Sequence, residues 1–111
     1  MERHERRKIL GERIKILRKL NGYTQQDIGN LIGCTKDMVS SVEKGNSTFR
    51  AEKLLELAEL LHIPGSILLS SQHYSERDLD AYLKLEAMLR NNPNSKHRPA
   101  IEALLEKAET K

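Results

Sequence analysis

The chain has 111 residues, 38% hydrophobic, 32% charged and only 4% aromatic, the balance of one globular unit with room for a small appendage. A net charge of +3, a pI near 9.1 and a lone cysteine, Cys34, exclude an internal disulfide and a multi-cysteine metal site. No apolar run is long enough to cross a bilayer, and the N-terminal MERHERRKIL lacks the apolar stretch of a secretion signal, so a cytoplasmic location is expected.

Strand-type alternation is absent, and helical periodicity fills nearly the whole chain. The fold class predicted is therefore all-α. The first helix spans roughly Ile9 to Leu20, with Leu10, Ile14 and Leu17 as its apolar stripe and Asn21-Gly22 as its stop. Around it crowd Arg3, Arg6, Arg7, Lys8, Arg13, Lys15, Arg18 and Lys19, against Glu2, Glu5 and Glu12. Such clustering is the footprint of phosphate binding, or else a solvated helix face. The second helix follows Thr24, whose spacing to Asp27 is that of a capping box. Ile28, Leu31 and Ile32 are expected to face inward, and Gly33 ends the helix. The third starts after the N-cap Thr35, buries Val39 and Val42, and runs to about Lys44 with Gly45 as its stop. The fourth covers roughly Ala51 to His62, with Leu54, Leu57, Ala58 and Leu61 in register, and a short fifth runs from Pro64 to about Leu69.

The polar break Ser70-Ser71-Gln72-His73 marks a boundary near residues 70–75. Residues 1–71 then form a basic segment plus a five-helix domain, and residues 72–111 a helical hairpin. Ser75 and Asp78 repeat the capping-box spacing at the start of the sixth helix, which runs to about Arg90 with Tyr82, Leu85, Met88 and Leu89 as its stripe. A loop from Asn91 to Arg98 contains Pro93, and Pro99 opens a seventh helix striped by Ile101, Leu104, Leu105 and Ala108.

Residues 24–45, TQQDIGNLIGCTKDMVSSVEKG, read as helix, glycine turn, helix, the layout of a unit that places its second helix in the major groove. Val39 and Val42 anchor that helix from behind, leaving Lys36, Asp37, Ser40 and Ser41 off the buried face. Residues near the helix N-terminus reach base edges in this geometry. Lys36 can donate to guanine O6 and N7. Asp37 either accepts from cytosine N4 or caps its own helix. Ser41 suits a base edge or a phosphate. Met38 either touches a thymine methyl or leans against the second helix. Gln25 and Gln26 stand at a helix N-terminus, where neutral donors and backbone N–H groups hold a phosphate, with Gln25 favoured.

The segment GERIKILRKLNGYTQQDIGNLIGCTKDMVSSVEKG, with the later LLELAELLHIP, resembles the Xre/Cro–C1-type helix-turn-helix family of phage repressors and bacterial regulators. Ile14, Leu17, Arg18, Gly22, Thr24-Gln25, Asp27-Ile28, Gly33 and Glu43 carry the match, which covers roughly residues 9–69. The resemblance implies a lambda-repressor-like five-helix domain that binds a double-stranded operator as a homodimer. It implies a phosphate-positioning role for Gln25, base-facing positions at Lys36, Asp37 and Ser41, and an internal ion pair between Arg18 and Glu43. Partly buried charges need such a partner. Three positions depart from the pattern. Gly29 replaces an alanine, Cys34 a small aliphatic residue, and Arg50 a polar cap. Arg50 is expected at DNA backbone or minor groove, with Asn46, Ser47 and Thr48 in the loop before it.

The hairpin lies outside this match, and two short striped helices cannot bury both stripes alone. Self-association through Tyr82, Leu85, Met88, Leu89, Ile101, Leu104 and Leu105 is the first expectation, packing on its own domain the second, a regulatory protein partner the third. His4, His62, His73 and His97 are scattered, and no phosphate-binding glycine loop occurs. Neither catalysis, a metal nor a cofactor is expected. The resulting expectation is a transcriptional repressor. The rival is an antitoxin or protein-interaction module with autoregulatory DNA binding.

Overall fold

Short polar caps decide where three of the helices start, and glycine decides where several stop. The computed structural model describes residues 2–92, 94 and 96–109, with side chains through Lys107, so Pro93 and the Ala108 side chain lie outside the described residues. It contains α1 (Arg3–Leu20), α2 (Gln25–Ile32), α3 (Lys36–Glu43), α4 (Ala51–Leu60), α5 (Gly65–Leu68), α6 (Glu76–Asn91) and α7 (Arg98–Glu109), and no strand among the described residues. The all-helical fold class expected from the sequence is what the structure shows.

Thr24 Oγ1 accepts from the Asp27 amide at 3.0 Å, and the Asp27 carboxylate accepts from the Thr24 amide at 2.9 Å. This reciprocal box satisfies two donors at the exposed end of α2. The Thr24 amide, more than the Thr24 hydroxyl, holds the Asp27 carboxyl below its ordinary pKa. Ser75 and Asp78 repeat the box on α6, and Thr35 caps α3 through the Met38 amide at 3.1 Å. Gly33, at φ 75°, turns the chain between α2 and α3 in the left-handed region.

Several boundaries differ from those expected. α1 starts two turns earlier, at Arg3 rather than Ile9, because its charged first turns propagate a helix whose apolar stripe begins later. α4 stops at Leu60, where Leu61 caps it and His62 takes a positive φ of 58°. Pro64 caps α5 instead of opening it. α6 runs through to Asn91, and α7 begins one residue before Pro99. Leu31 does not face inward: it is 52% exposed on the outer side of α2, because the core contacts of so short a helix are met by Ile28 and Ile32.

One buried cluster runs through the molecule. Ile14 and Leu17 of α1 meet Ile28, Ile32, Val39, Val42, Leu54, Leu57, Leu61 and Ile67, and the same cluster continues into Tyr74, Leu79, Tyr82, Ile101 and Leu105. α6 and α7 pack against each other, and α6 lies along α1. The hairpin thus packs on the first five helices of the same chain. Tyr82, Ile101 and Leu105 are buried there, Leu85 and Leu89 are half-buried, while Met88 and Leu104 are 50% and 52% exposed.

Candidate nucleic-acid interface

The second short helix is held from behind by charge. Arg18 is buried on α1 and Glu43 closes α3. Arg18 Nε donates to Glu43 Oε2 at 2.6 Å and Nη2 to Oε1 at 3.1 Å, a bidentate pair. Arg18 Nη1 donates to the Tyr23 carbonyl at 2.9 Å. Gln25 Nε2 donates to Glu43 Oε1 at 3.0 Å. The carboxylate therefore joins the last turn of α1, the first turn of α2 and the last turn of α3. A glycine makes this close approach possible. A Cβ on Gly11 would lie 2.3 Å from the Val42 carbonyl oxygen and 2.7 Å from that of Glu43, so only glycine lets α1 cross α3 there. Gly29 does similar work, since its Cβ would stand 2.7 Å from the Cys34 carbonyl oxygen.

With this brace in place, the front of the unit is polar and open. Gln25, Gln26 and Lys36 line one cleft of about 530 Å³ with Arg18, Gly22, Tyr23 and Thr24. Lys36 and Asp37 are exposed at the start of α3, and Ser40 and Ser41 are half-buried. Gln26 Nε2 donates to Asn30 Oδ1 at 3.0 Å, which turns it along α2, away from Glu43. Met38 is half-buried and packs on the core. The Ser41 and Ser47 hydroxyls are hydrogen-bonded at 2.8 Å, tying the loop of Asn46, Ser47 and Thr48 to α3. Asn46 and Thr48 are exposed, as is Arg50, which stands at the N-cap of α4 without a side-chain capping bond. Cys34 is half-buried in the turn, and burial pushes its thiol pKa up against the opposing charge of Lys53.

The basic cluster of α1 divides into two populations. Arg18 is committed to Glu43. Arg13 is committed too, and it is 4% exposed. Its Nη1 donates to the carbonyls of Ile67 at 2.8 Å, Leu68 at 3.2 Å and Ser70 at 2.7 Å, and its Nη2 to that of Gln72 at 2.7 Å. Its guanidinium also lies over the Tyr74 ring, 5.1 Å from the centroid. Burial lowers its pKa, opposed by the charge of Tyr74, yet an arginine remains charged throughout the working range. Arg13 therefore belongs to the joint between α5 and the hairpin and leaves the phosphate footprint. The signal was present in the sequence: on a helical projection Arg13 falls between Ile9 and Leu17, inside the apolar arc.

Among the described residues no helix is long and apolar enough to cross a membrane. Known proteins resemble the first part of the chain. The helix-turn-helix family profile matches residues 14–68. An uncharacterized HTH-type transcriptional regulator of Bacillus subtilis, YazB, is 34% identical over 55 residues, 50% of this chain and 80% of the relative. A prophage-derived uncharacterized HTH-type transcriptional regulator of the same organism, YonR, is 31% identical over 75 residues, 68% of each chain. One from Sinorhizobium medicae is 30% identical over 57 residues, 51% of this chain and 41% of the relative. No solved structure matches. Capped α2, the Gly33 turn, the braced α3 and these relatives lead to one assignment: the chain belongs to the Xre/Cro–C1-type helix-turn-helix family of transcriptional regulators.

Proposed function

We propose that the chain represses transcription by sequence-specific binding of double-stranded DNA, occupying a palindromic operator as a homodimer. The observation that carries the reading is the pairing of an open polar front with a fixed back. Lys36, Gln25 and Gln26 share one cleft, while Glu43 holds both helix ends through Arg18 and Gln25. A binding constellation of this kind needs rotamers locked from behind. Gln25 has two amide hydrogens, of which Glu43 takes one, so the other remains to meet a phosphate at the N-terminus of α2. Lys36 reads guanine, Asp37 reads cytosine and Ser41 supports them one turn on. The dimer would use the exposed Met88 and Leu104 of the hairpin, holding two reading heads about 34 Å apart.

Selection of bound sequences from a random duplex pool tests this directly. The expected outcome is one preferred site with two-fold symmetry. Lys36→Ala should then lose about 1–3 kcal/mol of discrimination at one base pair per half-site, whereas Gln25→Ala should weaken all duplexes alike. A site without symmetry would remove the dimer, and no enrichment at all would remove DNA reading. Sedimentation of a Met88→Glu, Leu104→Glu variant should show a monomer where the parent is a dimer.

A further inference from the structure

The α1 turn that carries Arg7 and Lys8 stands against the start of the α3–α4 loop, and we infer that Arg7 and Lys8 form a second contact to the phosphodiester backbone of the duplex. The inference rests on the DNA-binding reading above and adds a site to it. Gly11 meets the carbonyls of Val42 and Glu43, where α3 ends. Residues three and four before it, Lys8 and Arg7, lie one turn up on the same side of α1. The chain leaving α3 runs beneath them: a Cβ on Gly45 would lie 3.0 Å from Lys8 Cα and 2.9 Å from its Cγ. Gly45 itself takes φ 83° and leads directly into Asn46, Ser47 and Thr48. Lys8 is therefore packed against the start of the loop expected to meet DNA, and the residue remains exposed to solvent.

Charge points the same way. Arg13 and Arg18, five and ten residues beyond Lys8 on α1, are spent on internal carbonyls and a carboxylate. Among the described residues, Arg7, Lys8 and the exposed Lys44 take part in no ion pair. Arg3 and Arg7 are spaced four apart, an arrangement that destabilises a helix through like-charge repulsion. Glu5 and Glu12 flank Lys8 at one-turn spacing, but the Arg7 side of the helix carries His4, Arg3 and Leu10 and no carboxylate. A cationic pair engaged in no ion pair, set against a polar loop tied to α3 through Ser41 and Ser47, has the chemistry of a phosphate clasp. Such a contact positions the protein and reads no sequence.

The test uses the full chain and the duplex it selects, with affinity measured across a salt series. The Arg7→Ala, Lys8→Ala double variant should keep the base preference and lose about two units of slope in log K against log salt, near 0.9 for each phosphate released. Between 50 and 200 mM salt the parent should then lose about tenfold more affinity than the variant. The matched variant Arg77→Ala, Lys84→Ala removes the same charge from the exposed side of α6 and should leave the slope unchanged. An unchanged slope in the Arg7, Lys8 variant overturns the clasp. So does an equal loss in the α6 variant, which would mean net charge alone, or an altered base preference. A parent chain that selects no duplex overturns the DNA-binding reading itself, and the clasp with it.

Discussion

α1 carries two buried arginines, and their partners differ. Arg18 faces a carboxylate, in a pair whose side chains are 9% and 3% exposed. Arg13 faces only carbonyl oxygens and an aromatic ring. The first arrangement joins three helices of the reading head around Glu43. The second gathers the C-terminal carbonyls of α5 and the linker beyond it, where the ends of a helix leave acceptors unsatisfied. Ion pairing behind α2 and α3 gives a rigid frame that fails if either partner is lost. Carbonyl binding at the joint spreads the charge over four neutral acceptors, those of Ser70 and Gln72 only partly buried, so no single partner carries it. One helix thus serves as strut for the head and as peg for the hairpin.

The contrast can be broken from either side. Glu43→Ala leaves Arg18 buried without its counter-charge and should destabilise the fold by about 3–5 kcal/mol, read from urea denaturation. A loss under about 1 kcal/mol, the range of an exposed pair, would mean that water replaces the carboxylate and the brace is not rigid. Gly11→Ala drives a methyl into the Val42 and Glu43 carbonyls and should cost about 1–3 kcal/mol, visible as a lower Tm. An unchanged Tm would show that α1 can move off α3. Arg13→Leu removes the charged hydrogen bonds of the joint, at about 2 kcal/mol. Its diagnostic is regional: amide exchange should quicken in α6 and α7 while α2 and α3 stay protected. Equal loss of protection in both regions would make head and hairpin a single cooperative unit and erase the distinction drawn above.

The smallest effect concerns acid. The folded Asp27 pKa is depressed by the Thr24 amide. Its capping box therefore contributes stability above the unfolded carboxyl pKa of about 3.9, and loses it as pH falls through the lower folded value. Asp27→Asn should flatten the dependence of α2 stability on pH below about 4, followed by circular dichroism. A variant with the parent's acid profile would place the titration elsewhere.

Much of this was legible in the linear chain. Thr24 with Asp27, Gly33, Thr35 and Ser75 with Asp78 announce helix ends because capping is local chemistry, settled within four residues. Val39 and Val42 announce the buried face of α3 because periodicity is local too. The pairing of Arg18 with Glu43 came from family resemblance, and the structure shows it as a bidentate contact. Leu31 was misread, since periodicity says which side of a helix is apolar and not how much of that side a short neighbour can cover.

What only the tertiary structure decided are the partners at long range. Arg13 and Arg18 both belong to the basic cluster of α1, and only the fold supplies the acceptors each one meets. Their fates depend on chain segments 54 and 25 residues away. The hairpin's stripes likewise said that something must cover them, while the docking of α6 on α1 decided that Leu79, Tyr82, Ile101 and Leu105 are covered within the chain itself. Helix ends and faces follow from neighbours along the chain. Which charges remain free to meet a ligand follows from close packing, where a buried cation must take whichever acceptors the fold brings to it.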